Sequence, residues 1–247
     1  MEMNEKLTIV IPAFNEAKKI ESTVNEVTDF LSDKGYSYEV IVVDDGSDDD
    51  TLDIIKRYKA INSNGNIRIL ENVHNRGKGY AVRKGIKEAA GDYILFMDAD
   101  NSTRIYELER MLPGFKDGFD IIIGSRRLKN VPGNIVISQP SYRHILGEIY
   151  IYISRLFFKI SVRDYNCGFK MFKNKVAKKI FSKQMMDDWS FDLETLFLVE
   201  KYCFKIKEVP VNWKHYKGSK VRPVLDGIKS FVSILIIKAN DMAGKYN

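Results

Sequence analysis

Two stretches decide the fold: Val40-Ile41-Val42-Val43 running into Asp44-Asp45-Gly46-Ser47, and Tyr93-Ile94-Leu95-Phe96-Met97 running into Asp98-Ala99-Asp100-Asn101. Each is a short, continuous apolar run that ends abruptly in carboxylates. Such runs, bounded by turn residues, read as strands buried on both faces of a parallel sheet. In sheets of that kind ligands gather outside the carboxyl ends of the strands. Two acidic strand ends on one rim therefore point to a site that handles a divalent cation, and Asp98 and Asp100 have the spacing to share one ion. Aspartate also starts turns and caps helices, but two such strand ends together favour the functional reading.

Outward from these strands the pattern alternates. Leu7 to Pro12 reads as a first strand, and Lys18 to Leu31 as a helix with Ile20, Val24, Val27 and Leu31 on one face. Val40 to Val43 is a second strand, Leu52 to Ile61 a helix, Ile67 to Leu70 a third strand, and Ala81 to Ala90 a helix stopped near Gly91. Tyr93 to Met97 is the fourth strand. A βαβαβαβ series implies right-handed crossovers and a mostly parallel central sheet with helices on both faces. Residues 1–223 are expected to form this α/β domain, with 224–247 as an amphipathic C-terminal helix.

The composition is that of a soluble globule, 45% hydrophobic and 29% charged, and 247 residues suffice for an ample core. The net charge of +6 is spread over the whole chain, which suits phosphates or anionic lipid and not a dedicated nucleic-acid arm. Two cysteines, Cys167 and Cys203, give neither a disulfide framework nor metal-ligand spacing. The N-terminal residues hold no signal-peptide core, so the cytosolic side is expected. No stretch reaches the roughly 18 to 20 apolar residues of a spanning helix.

Tyr142 to Ile160 carries Tyr142, Ile145, Leu146, Ile149, Ile153, Leu156, Phe157 and Ile160 at helical spacing, with Ile151, Tyr152 and Phe158 on other faces. Val224 to Ile237 has the same apolar excess. Two readings compete. The helices pack together or form a dimer, or they rest in a membrane interface with Arg155, Lys159, Lys229 and Lys238 near headgroups.

The first strand ends in Pro12-Ala13-Phe14-Asn15-Glu16, which places Asn15 and Glu16 on the acidic rim. After the third strand comes Asn75-Arg76-Gly77-Lys78-Gly79-Tyr80. Its glycines permit close backbone approach, and a helix N-terminus with Arg76 and Lys78 attracts anions. It has neither the Walker spacing nor the three-glycine dinucleotide fingerprint. A diphosphate held through a divalent cation would suit both the acidic rim and the basic loop.

Taken in order, Pro12–Glu16, Asp44-Asp45-Gly46-Ser47, Asn75-Arg76-Gly77-Lys78-Gly79 and Asp98-Ala99-Asp100 resemble the family 2 inverting glycosyltransferases of GT-A fold. Gly124-Ser125-Arg126, Asp164 to Lys170, Trp189-Ser190-Phe191-Asp192 with Glu194, and Val211-Asn212-Trp213 with Gly218-Ser219-Lys220 narrow this. They are similar to dolichyl-phosphate β-glucosyltransferases and their archaeal relatives, and next to dolichyl-phosphate mannose synthases.

The resemblance implies that Pro12, Ala13, Phe14, Asn15, Glu16, Asp44, Asp45, Gly46 and Ser47 hold the nucleoside side of a nucleotide sugar. Gly77, Lys78, Ala99 and Lys220 would lie about its diphosphate, and Asp98 and Asp100 would hold Mg or Mn. Arg126 and Arg143 would grip an acceptor phosphate, because a guanidinium matches phosphate oxygens two at a time. The implied reaction moves a hexose, from UDP-glucose or UDP-N-acetylglucosamine, to dolichyl phosphate at the cytoplasmic membrane face, with inversion. A phosphate dianion needs no catalytic base, whereas a sugar hydroxyl does. Asp187 and Asp188 are the candidates should the acceptor be a hydroxyl, and GDP-mannose is the alternative donor.

Overall fold

β1 (Lys6–Ala13) is buried along nearly its whole length, as a strand covered on both faces must be. The computed structural model describes residues 5–62, 66–128, 141–214 and 223–247, and of 141–147 and 223–228 the backbone alone. After β1 come α1 (Ile20–Asp33), β2 (Ser37–Asp44), α2 (Thr51–Ile61), β3 (Ile67–Glu71), α3 (Lys78–Glu88) and β4 (Tyr93–Met97), the alternation that the apolar periodicity predicts. The chain continues through α4 (Leu108–Lys116), β5 (Ile121–Ser125), α5 (Ser141–Phe158), β6 (Phe169–Lys173), α6 (Asn174–Lys183), α7 (Phe191–Lys201), β7 (Ile206–Pro210) and α8 (Pro223–Met242).

The strands form one seven-stranded sheet in the order β3-β2-β1-β4-β6-β5-β7. β6 runs antiparallel to both of its neighbours, and the other pairings are parallel. Successive strand residues serve opposite cores. Val10, Ile41, Val43, Ile94 and Phe96 join residues of α3 and α5 to α8, while Ile9, Ile11, Val40, Val42, Leu95 and Met97 join α1, α2 and α4. The chain winds outward from β1 to β3 and then returns to β4 on the other side of β1. That reversal opens a crevice at the carboxyl ends of β1 and β4, where the acidic segments emerge.

Two features depart from the periodicity. α3 begins at Lys78, three residues before the predicted start. Gly77, at φ 102°, turns the chain into the helix, and Gly79 lies where a Cβ would strike the Met186 carbonyl. Close packing thus overrides the poor helix propensity of glycine.

The apolar stripe predicted on Tyr142 to Ile160 is also corrected. α5 buries Ile151, Ser154 and Phe158, and leaves Ile149, Tyr152, Leu156 and Phe157 exposed. Tyr142, Ile145 and Leu146 lie outside the residues whose side chains are described. On α8, Ser233, Ile234 and Ile237 are buried, and Val232, Leu235 and Ile236 are exposed. The two helices contact each other, with Tyr150 edge-on to Phe231 at 5.8 Å. The pair therefore packs inward on one face and shows an apolar face outward. Among the described residues no helix is long and apolar enough to cross a membrane.

Candidate active site

The ends of β1 and β2 are tied into one rim. Ala13 pairs with Asp44 in register, and the Asp45 amide donates to the Ala13 carbonyl at 2.8 Å. Pro12 and Ala13 are buried at the strand end, with Phe14, Asn15 and Glu16 half-buried beyond it. Asn15 does not cap α1. It sits at φ 53°, accepts from the Asp48 amide at 2.8 Å through Oδ1, and donates its own amide to Ser47 Oγ at 2.9 Å. The Glu16 amide donates to Thr51 Oγ1. Asp44 accepts from the hydroxyl and amide of Ser47, at 2.6 and 3.1 Å, and closes the Gly46 turn. Gly46, at φ 69°, passes so near the backbone of His74 and Asn75 that no side chain fits.

Asp45 carries this rim to the glycine loop. Its carboxylate accepts from Asn72 Nδ2 at 2.7 Å, from the Arg76 amide at 3.0 Å and from the Gly77 amide at 2.7 Å. The far side of the loop rests on residues 185–188, because the Tyr80 amide donates to the Asp187 carbonyl and a Cβ at Gly77 would meet that same carbonyl. Held on both sides, α3 presents Lys78 to β4. Lys78 Nζ lies 2.5 Å from Asp98 Oδ1 and 5.0 Å from the Trp189 ring. Burial opposes the Lys78 charge, but Asp98 and Asp192 outweigh it and hold the ammonium above its ordinary range.

Asp98 and Asp100 remain partly exposed, and the Asp98 carboxylate occupies the place a Cβ on Gly168 would take. Asp100 Oδ1 accepts from the Ser102 amide at 2.9 Å, which fixes its rotamer. Among the described residues no group of three His, Cys, Asp or Glu side chains gathers about one point. Two carboxylates fit Mg or Mn, hard ions that are bound by one or two carboxylates plus substrate phosphates and water.

On the other side of Asp98, Arg126 follows β5. Its Nε and Nη2 donate to the two carboxylate oxygens of Asp164, each at 2.7 Å, and its amide donates to Asp164 at 2.9 Å. Burial works against both charges, yet the fork raises the arginine further and holds Asp164 at about 2. The guanidinium stacks 5.4 Å from Trp213. Among the described residues two of its five side-chain N–H groups serve Asp164, and the others could meet a second oxyanion. Below it Lys170, without exposed surface, donates to the Cys167 carbonyl at 2.8 Å and to Asp192 at 2.5 Å. Burial pushes the Cys167 thiol up to about 12, which leaves it protonated and inert.

The structure thus gathers the β1 and β2 ends, the glycine loop, Asp98, Ala99, Asp100 and Arg126 along one end of the sheet. Arg143 lies on α5 with its side chain outside the described residues, and so does all of Lys220. The segment leading toward Lys220 is anchored at this rim, since Trp213 bridges to Thr103 and the Lys214 amide donates to the Ser102 carbonyl. Asp187 is engaged by Arg83 at 2.5 Å and Arg76 at 3.8 Å, and Asp188 accepts from the Ser190 amide. Asp164, Gly168, Lys170 and Asp192 belong to the site's framework, although the sequence assigned them no role. A lysine inside Phe169-Lys170-Met171-Phe172 was the available signal, because a charge within a buried strand requires a buried partner.

A sheet of this order, with its site at the β1/β4 crevice, is a GT-A domain. Its fold matches glucosyl-3-phosphoglycerate synthase from Mycobacterium tuberculosis in complex with UDP. That match has a TM-score of 0.70 and 16% identity, over 95% of this chain and 80% of that one. The same enzyme in complex with Mn2+, UDP-glucose and phosphoglyceric acid matches equally, at TM-score 0.70 and 15% identity over 95% and 80% of the two chains.

Residues 8–181 match the profile of glycosyl transferase family 2, and the chain belongs to that family. It is 33% identical to a dolichyl-phosphate beta-glucosyltransferase of Drosophila melanogaster, over 98% of this chain and 77% of that protein. The protein of the same name from Dictyostelium discoideum is 34% identical, over 98% and 76% of the two chains. The Homo sapiens protein is 30% identical, over 98% and 78%.

Proposed function

We propose that this protein transfers glucose from UDP-glucose to dolichyl or a related polyprenyl phosphate with inversion, giving a β-linked lipid-phosphate sugar for glycosylation. UDP-N-acetylglucosamine is the second donor to test. The observation that carries this reading is similarity over 98% of the chain to proteins named for that activity. The geometry supports it, because Lys78 and the carboxylates of Asp98 and Asp100 share the carboxyl end of β4, a combination suited to a diphosphate with a hard cation.

In this reading a phosphate oxygen of the lipid forms the bond to the anomeric carbon as the bond from that carbon to the diphosphate oxygen breaks. The electron pair leaves with the nucleoside diphosphate. The acceptor, with a second pKa of about 6, is mostly dianionic at neutral pH, so no side chain has to remove a proton. Lys78 and the positive end of α3 balance charge growing on the leaving diphosphate. Asp98 and Asp100 would hold Mg or Mn, which when bound would neutralise the same charge. Arg126, set in one orientation by Asp164, offers its remaining edge to the acceptor phosphate, with Arg143 as its expected companion. Pro12 to Glu16 and Asp44 to Ser47 would frame the nucleoside, and Lys220 is the expected further contact of the diphosphate.

The lipid tail stays in a bilayer, so the enzyme must work at a membrane surface. Tyr152, Leu156 and Leu235 are each more than 60% exposed on the α5–α8 pair, with Arg155 and Lys229 exposed on the same helices and Lys159 exposed just past α5. This face suits peripheral docking, apolar side chains in the interface and basic groups at headgroups. The cytoplasmic face is the expected side. A donor panel tests the reading, with radiolabelled UDP-glucose, UDP-N-acetylglucosamine and GDP-mannose offered to dolichyl phosphate in detergent. Label moving to lipid from UDP-glucose supports it, and label moving only from GDP-mannose replaces the donor.

A further inference from the structure

Tyr246 lies beyond the end of α8, far in sequence from the rim, yet it has no exposed surface. Its ring packs on Phe197 of α7 at 5.4 Å, and its carbonyl accepts from Tyr202 Oη at 2.7 Å. Its hydroxyl donates to Glu194 Oε1 at 2.6 Å. Glu194 is also fully buried, and its carboxylate accepts from the amides of Met185, at 3.0 Å, and Met186, at 2.8 Å. Burial raises the Glu194 carboxyl above its ordinary range, and these three donors, with the nearby Arg83 charge, oppose that cost.

The amides that Glu194 holds belong to the segment on which the glycine loop rests. The Met186 carbonyl blocks any Cβ at Gly79, the Asp187 carbonyl blocks one at Gly77, and the Tyr80 amide donates to Asp187. Gln184 also reaches the Met186 carbonyl, and Arg83 of α3 grips both the Gln184 carbonyl and the Asp187 carboxylate. A continuous set of contacts therefore runs from Tyr246 through Glu194 and residues 185–187 to Gly77 and Lys78. A shift of the 185–187 backbone would reach Lys78 directly, because two glycines leave no slack between the segments.

We propose that Tyr246 is a positioning residue for donor binding, its hydroxyl setting the loop that presents Lys78 by way of Glu194. This rests on the reading of Lys78 as a diphosphate contact. Removing the hydroxyl while keeping the ring should weaken the donor and leave the lipid phosphate alone, since Arg126 and Asp164 stand outside this set of contacts.

The test is Tyr246→Phe in the full chain, with Tyr202→Phe as a second, half-exposed variant that releases the Tyr246 carbonyl. Titration calorimetry with UDP and Mn should show about three- to tenfold weaker binding for Tyr246→Phe, the size of effect such coupled contacts carry, and a smaller loss for Tyr202→Phe. The KM for UDP-glucose should rise in parallel while the KM for dolichyl phosphate stays put, and amide exchange should quicken at residues 77–83 and 185–187. In a Lys78→Met background the Tyr246→Phe change should add no further loss of UDP affinity. Wild-type UDP affinity in both variants, equal losses for donor and acceptor, or unfolding of both variants would overturn the inference. A wild-type protein that binds no UDP would instead overturn the proposed function on which it rests.

Discussion

Lys78 Nζ and Asp98 Oδ1, 2.5 Å apart, join the first residue of α3 to the end of β4. The pair brings the basic loop and the acidic strand end into one site. In the proposed function a donor diphosphate entering there would take over the ammonium and leave Asp98 to the metal. Lys78→Met should therefore weaken UDP-sugar binding by roughly ten- to a hundredfold, the worth of a charge-assisted contact of about 1.5–3 kcal/mol. Calorimetry with UDP measures this directly, and unchanged affinity would remove Lys78 from the donor site.

Asp100→Ala should abolish transfer while the fold persists. Asp100 stands half-exposed just beyond β4, where its carboxylate accepts from the Ser102 amide. EDTA should silence the wild type, with Mg or Mn restoring it. Full transfer in EDTA would contradict the metal assignment.

Arg126 and Asp164 make separable predictions. Arg126→Ala should raise the KM for lipid phosphate and lower kcat with little change in UDP affinity; a fall in UDP affinity would assign the arginine to the wrong substrate. Asp164 is held at about 2 when folded, against about 3.9 for an unperturbed aspartate. Its stabilisation is present above about pH 4, is lost as pH falls through about 2, and amounts to about 2–3 kcal/mol. Urea unfolding across this range should show an acid limb in the wild type that is shallower in Asp164→Asn. Equal slopes would contradict the depressed value.

Membrane attachment should depend on the outward face of the helix pair. Tyr152→Ser, Leu156→Ser and Leu235→Ser together should lower liposome partitioning roughly a hundredfold, if each side chain contributes as little as about 1 kcal/mol. Donor hydrolysis should survive. Phe231 and Ile234, on the same helix as Leu235, are a different matter: they pack inward, and replacing them with Ser should unfold the domain. Undiminished flotation of the triple variant would mean that this face does not dock.

The alternation of β1 to β4 and the acidic rim were legible because period-2 and period-3.6 patterns were clean there and the carboxylates interrupted them sharply. β6 was not legible as a strand. Lys170 breaks its apolar run, and its charge is balanced by Asp192, 22 residues away in sequence. The Arg126–Asp164 fork was hidden for the same reason, since partners 38 residues apart leave no local trace. On α5 the spacing showed that apolar residues were in excess, but not which were buried. That depended on where α8 and α7 packed, and Phe158 turned inward to Phe197 at 5.0 Å while Leu156 turned outward.

The most direct test of the account is the fate of radiolabelled glucose from UDP-glucose when the purified protein meets dolichyl phosphate, dolichol and a free sugar acceptor side by side. The phosphate alone should receive label, in a Mg- or Mn-dependent reaction. Asp188→Asn should retain activity within about tenfold of wild type, because a true general base contributes around 10² to 10⁴ in rate. Label on a sugar hydroxyl, with activity collapsing in Asp187→Asn or Asp188→Asn while UDP binding persists, would contradict the account.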